Sequence, residues 1–169
     1  MLKLRELTMK HHQEAERSEF AKKLVSGKVT RFDYFVYLYN MAFVYNTLEN
    51  IAWSVGALDD IESIRRAEKI WKDHKEMEEE FPPAPLLDSV REYMDYLMYI
   101  RYQKSKILAH VYVRHMGDLS GGQIISKRLG DNFPTNFYQF DEDQDMLKEK
   151  LREKLNNDMA EEAMRAFDH

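Results

Sequence analysis

A chain of 169 residues, 33% charged and 44% hydrophobic, is long enough for one continuous core and too apolar for a disordered segment. Its formal net charge of -5 argues against nucleic acid as the main partner, and the absence of cysteine excludes disulfides, thiolate metal sites and cysteine nucleophiles. No run is long and apolar enough for a membrane span, and the Lys-rich start lacks the pattern of a signal peptide, so the expected location is the cytoplasm or an equivalent soluble compartment.

The first helix is expected from about Lys3 to Val25, with Gly27 as its stop signal and two adjacent histidines, His11 and His12, on it. Thr30 has the character of an N-cap, with Asp33 in the position of a capping-box acid. It opens a second helix, Arg31 to Ser54, crowded with Phe32, Tyr34, Phe35, Tyr37, Tyr39, Phe43, Tyr45 and Trp53. Their three- and four-residue recurrence is that of a core helix. A third segment, from about Ile61 to Glu80, has a narrow apolar stripe of Ile64, Ala67, Ile70 and Trp71. Arg65, Arg66, Lys69, Lys72 and Lys75 are expected there as a solvated face, with a docking surface for an acidic protein as the alternative.

Phe81-Pro82-Pro83-Ala84-Pro85 then breaks the helical pattern. A fourth helix runs from Leu86 to about Tyr102, and a fifth segment from Lys104 to near Gly130. Asn132 to Phe140 reads as a loop. The acidic run Asp141 to Asp145 suits the N-terminus of a last helix, Met146 to Phe167, because carboxylates are favoured at that end of the helix dipole. There is no strand alternation, internal repeat or interdomain linker. The expected fold is all-α, one helical bundle and one domain over residues 1–169.

One stretch concentrates an unusual cost. Gly117-Asp118-Leu119-Ser120-Gly121-Gly122 holds three of the six glycines, each worth about 1 kcal/mol against alanine in a helix interior. Its flanks are good helix formers. Either one bent helix exposes backbone at the bend and closes over a flat ligand, or a sharp loop joins two helices.

Several chemistries can be set aside. No Glu-x-x-His pair is present for a di-iron carboxylate bundle, and GxGxxG, the P-loop and His-Glu-x-x-His are all missing. The glycine stretch does not match the Gly-x-Ser-x-Gly elbow, and no strand precedes it. A single histidine as axial ligand to haem iron fits what is left. His12 has Glu16 one turn on, where a carboxylate can accept from Nδ1–H and leave Nε2 for iron. His11 has Glu14 at i+3 and Ala15 at i+4, a poorer arrangement. A structural or solvated histidine is the competing reading.

The segment His12-Gln13-Glu14-Ala15-Glu16, followed by Glu19-Phe20 and Gly27-Lys28-Val29-Thr30-Arg31, resembles the proximal helix of haem oxygenases. Tyr112-Val113-Arg114-His115-Met116-Gly117-Asp118-Leu119-Ser120-Gly121-Gly122-Gln123 is similar to that family's distal-helix signature. The two match in order and spacing, and the resemblance extends over nearly the whole chain.

The resemblance implies a bundle with haem between a proximal helix and a kinked distal helix. It makes His12 the iron ligand and Glu16 its supporting carboxylate. Gly117, Gly121 and Gly122 become the distal kink that leaves room for haem and O2, and Asp118 the residue that organises distal water and delivers a proton. Arg5, Lys148 and Arg152 become the cations for the haem propionates, with Tyr112 donating a hydroxyl, and Arg114 and Tyr45 members of the distal hydrogen-bond network. Haem is then both substrate and cofactor, and biliverdin, carbon monoxide and ferrous iron the products. A non-catalytic haem carrier or sensor on the same fold is the alternative, but it would have no use for Asp118.

Two positions depart from the family pattern: Met9, where a second basic residue is common, and His115, where mammalian-type enzymes carry tyrosine. The chain ends at His169 with no hydrophobic tail, like the soluble bacterial, plastid and phage forms. A monomer with no membrane anchor is expected. With no flavin or iron–sulfur motif, electrons must come from an external donor, for which the resemblance implies ferredoxin. Lys22, Lys23 and Lys28, or Lys148 to Lys154, are the candidate docking patches.

Overall fold

The computed structural model describes residues 4–16 and 18–168; the side chains of residues 12, 14–16 and 168 lie outside that description. Among the described residues, eight helices carry the fold: α1 (Leu4–Glu16), α2 (Glu19–Ser26), α3 (Arg31–Ser54), α4 (Ala67–Met77), α5 (Asp88–Tyr99), α6 (Lys104–Leu129), α7 (Gln144–Glu153) and α8 (Ala160–Asp168). Short 3₁₀ turns punctuate them, and no strand occurs among the described residues. The expected all-α bundle is the observed one.

α3 forms where the caps direct it. Thr30 is extended and its hydroxyl accepts from the Asp33 amide at 3.1 Å. The aromatic-rich helix buries Tyr34, Phe35, Leu38, Ala42, Tyr45 and Leu48 and packs against α4, α5 and α6. It is the central post of the bundle. α2 and α8 each pack on both α1 and α6, and so bracket the two helices that the sequence marks as functional.

The stretch from Gly117 to Gly122 lies inside the uninterrupted helix α6, so the alternative of a loop is ruled out. Two other expected helices are each divided. The first ends at Glu16, and Ser18 caps a new helix by accepting from the Ala21 amide at 3.2 Å. That side-chain bond competes with continuing the helix. Gly27 ends α2 with φ +75°, and a Cβ there would lie 2.5 Å from the Arg128 carbonyl oxygen. The last helix is divided at Lys154 into α7 and α8; Asn156, Asn157 and Asp158 favour turns over helix interior.

The third expected helix is shortened as well. It begins at Ala67 after a 3₁₀ turn, Glu62–Ile64, and Arg66 at its N-cap is fully buried, contrary to the solvated face expected for it. The Arg66 guanidinium donates to the carbonyls of Phe137 (3.1 Å), Gln139 (2.6 Å) and Ser63 (2.9 Å), and lies 3.7 Å from the Phe140 ring centroid. Asp73, also fully buried, accepts from the amides of Asn136 (3.0 Å) and Phe137 (2.7 Å). The segment expected as a loop between α6 and α7 is thereby pinned inward. Its 3₁₀ turn, Asn136–Tyr138, buries Phe137 and Tyr138 beneath α6.

Candidate functional site

α6 presents two faces with different contents. On the inner face Asp118 is 9% exposed and accepts a hydrogen bond from the Tyr45 hydroxyl of α3 at 2.6 Å. Burial pushes the Asp118 carboxyl up to about 6, against the opposing pull of His115, the Tyr45 hydrogen bond, Arg66 and Arg114. Burial and the Asp118 charge hold the Tyr45 phenol well above its ordinary range, so the shared proton stays on Tyr45. Burial works against the Arg114 charge, but Tyr93, Tyr45 and Tyr37 around it outweigh that cost and raise it. The Arg114 guanidinium carbon lies 4.8 Å from the Tyr93 ring centroid, and its Nε reaches the Tyr93 hydroxyl at 3.5 Å.

Gly122 belongs to this inner face. A Cβ there would lie 2.8 Å from Tyr138 Cδ1, so its missing side chain makes room for Tyr138. The other two glycines differ. A Cβ on Gly117 or Gly121 would meet nothing within 4 Å. They lie one turn apart, and Ile124, 53% exposed, lies just beyond Gly121. The outer face of α6 is therefore a bare apolar strip fronted by open space. Such a strip fits a flat hydrophobic macrocycle.

Cations gather at one edge. Tyr112 is nearly buried on α6. Burial raises its hydroxyl, and Thr8, Arg5 and Arg152 pull it back. Arg5, Tyr112 and Arg152 are thus brought together from α1, α6 and α7. Lys148 lies one turn before Arg152 and stands 4.0 Å from Asp145, while Arg152 stands 3.7 Å from Glu149. The carboxylate partners, Asp145 and Glu149, are exposed, so these pairs are weak. His12 and Glu16 lie on α1, with their side chains outside the described residues.

Two buried polar clusters were not anticipated from the sequence. The first surrounds His115, which is fully buried between the Val111 carbonyl (3.1 Å from Nδ1) and Glu49 Oε2 (2.8 Å from Nε2). In the second, His110 is buried between the Tyr93 hydroxyl (2.7 Å) and Glu162 (3.0 Å), and Glu162 also accepts from the Tyr96 hydroxyl at 2.6 Å. Glutamates 49 and 162 have the look of helix-surface residues in sequence. Only the packing of α3 on α6, and of α8 on α6, reveals them.

The family model described as Heme oxygenase matches residues 1–167. The chain belongs to the haem oxygenase family. The heme oxygenase of Pyropia yezoensis is 32% identical over 178 residues, spanning 90% of this chain and 71% of that protein. Among solved structures, heme oxygenase-1 from the cyanobacterium Synechocystis in complex with heme matches with a TM-score of 0.83 and 27% identity, over 98% of this chain and 86% of that one. Heme oxygenase from Leptospira interrogans shares the fold with a TM-score of 0.87 over 98% and 93% of the two chains, at 24% identity. This haem oxygenase is an oxidoreductase that binds haem. Among the described residues, no helix is long and apolar enough to cross a membrane.

Proposed function

We propose that this haem oxygenase holds haem against the outer face of α6, with His12 of α1 as the iron ligand and Glu16 fixing the orientation of its ring. Gly117 and Gly121 leave the backbone bare where the macrocycle lies, and Gly122 completes the packing of that helix on Tyr138. Arg5, Lys148 and Arg152 take the propionates, and the Tyr112 hydroxyl donates to one of them; a guanidinium can grip a carboxylate with two parallel bonds. Bound haem supplies the iron that activates O2 and the meso carbon that is oxidised, so the ring opens to biliverdin, carbon monoxide and ferrous iron.

The chain's own contribution is a proton in the right place. Asp118 anchors a distal water and passes a proton through it toward the activated oxygen, while Tyr45 holds the carboxyl in position and the Arg114 charge favours its ionised form. The observation that carries this reading is the buried Asp118 carboxyl with Tyr45 at 2.6 Å, raised to about 6. A group with a pKa near the working pH both holds and releases a proton efficiently. An isolated carboxylate in water would stay ionised and give nothing back.

Electrons arrive from an external donor, and ferredoxin is the partner that fits a chain without its own flavin or iron–sulfur motif. Lys22, Lys23 and Lys28 are exposed on and after α2, a helix that packs on both α1 and α6. The enzyme acts as a monomer of one domain in the cytoplasm or an equivalent soluble compartment. The test is an absorbance time course of the hemin complex with ferredoxin, its reductase and NADPH. The expected result is loss of the Soret band with growth of a red biliverdin band. Asp118→Ala should retain haem but not form biliverdin, and His12→Ala should lose the histidine-ligated ferric spectrum. A Soret band that persists under confirmed electron delivery would overturn the assignment.

A further inference from the structure

His115 lies within the distal signature and is fully buried. Both of its ring nitrogens face acceptors. Nδ1 is 3.1 Å from the Val111 carbonyl and Nε2 is 2.8 Å from Glu49 Oε2. A neutral imidazole has one donor and one acceptor, so it cannot satisfy both contacts; an imidazolium can. The alternative would be a protonated Glu49, and the surroundings of that carboxylate oppose it. Glu49 Oε2 accepts from the Arg66 amide at 2.6 Å and Oε1 from the Ala67 amide at 3.0 Å. These two amides open α4, and the free N–H groups and dipole of a helix N-terminus favour an anion. The N-terminus of α4 fixes Glu49 as a carboxylate, and Glu49 fixes His115 as its cationic partner.

This pair adjoins the distal carboxyl. His115 and Asp118 are three residues apart on α6 and both buried, and the Tyr45 ring packs edge-on against the His115 ring with centroids 5.2 Å apart while its hydroxyl donates to Asp118. We infer that His115 is a positioning residue for proton delivery: the imidazolium held by Glu49 and the start of α4 supplies the local positive charge that sets how readily Asp118 ionises. The inference rests on the role proposed for Asp118 only for its consequence in turnover.

The remaining groups around Asp118 are accounted for. From α3 it faces the Tyr45 and Tyr37 hydroxyls, from the start of α4 Arg66, from α6 Arg114 and His115, and from the turn below α6 Tyr138. The tyrosines cannot supply positive charge. Arg66 and Arg114, held by backbone carbonyls and by Tyr93, keep their charge and also pull the carboxyl down, but less than His115 does. After burial, which raises the carboxyl, His115 is the strongest influence that opposes it.

The test uses the haem-free protein, so failure of turnover and failure of this inference are separable. Carbon-detected NMR of selectively labelled aspartate follows the Asp118 carboxyl through pH 4–9, with Asp118→Asn identifying its resonance. The wild type should titrate near 6, and His115→Gln should move that midpoint up by about one pH unit or more, as removal of a nearby opposite charge does. In a folded His115→Gln protein, an unmoved midpoint would overturn the inference, because a merely structural histidine would lower the thermal midpoint and leave Asp118 alone. The wild type supplies a check that needs no variant. Long-range nitrogen–proton correlation should find a proton on each His115 ring nitrogen, and a single neutral tautomer would refute the arrangement.

Discussion

Asp118→Asn should make the haem-free protein more stable, and by an amount that depends on pH. In the native state the Asp118 carboxyl titrates near 6, against 3.8 for an unburied aspartate. Below the lower value both folded and unfolded chains carry the proton, and the group contributes no pH dependence. Between the two values the unfolded chain has released its proton while the folded one keeps it, so the folded state binds more protons and its stability falls as pH rises. The separation of about two units, at 1.36 kcal/mol each, gives a loss of about 3 kcal/mol that is complete once the pH exceeds the native value. Asparagine has nearly the same shape, can accept from Tyr45 through its carbonyl oxygen, and does not ionise. Urea unfolding of wild type and Asp118→Asn at pH 4, 5, 6 and 8 checks this. Histidine titrations common to both proteins cancel in the difference. The variant's advantage should grow from pH 4 to 6 and level off above it, reaching about 2.4 kcal/mol relative to its value at pH 4, because the unfolded aspartate is already more than half ionised there. A difference that is flat across this range would show that Asp118 does not titrate as its burial requires, and the proton-delivery argument would lose its basis.

The glycines of α6 should separate by face. Gly117→Ala meets open space and should stabilise the haem-free protein by up to about 1 kcal/mol through helix propensity, yet weaken hemin binding in a Soret titration; unchanged affinity would remove this face from the haem site. Gly122→Ala brings a Cβ to 2.8 Å from Tyr138 and should cost about 1–3 kcal/mol, read as a lowered thermal midpoint in the haem-free protein. Charge reversal at Lys22, Lys23 and Lys28 should raise the KM for ferredoxin while leaving hemin affinity in place, and an unchanged KM would exclude that surface as the docking site.

What could be read from the sequence was whatever a few neighbouring residues decide. The Thr30 cap, the Gly27 stop and the bounds of α3 depend on contacts within five residues, and they were predicted where they occur. The division at Ser18 was legible in principle, since a serine followed by Glu19 is a start signal. It was masked by a helical pattern that continues on both sides of it. Arg66 was not legible. Beside Arg65 and Lys69 it reads as part of a charged surface, and nothing local says that its guanidinium meets carbonyls of residues 137 and 139.

The distal site divides in the same way. Its members on α6 sit in one short motif, so Arg114, Asp118 and the glycines can be found together. Their environment comes from afar: Tyr45 is 73 residues from Asp118, and Glu49 is 66 from His115. A tyrosine on an aromatic-rich helix is expected to be core, and a glutamate on a helix is expected in water. What turns Glu49 into a buried anion is the start of α4, whose two amides reach its carboxylate from residues 66 and 67. His115 could therefore be recognised as a departure from the family pattern but not interpreted, because histidine changes the chemistry there only if an anion faces it. The sequence position of that anion carries no mark of the role. The charge state of the distal site is set by where α4 begins.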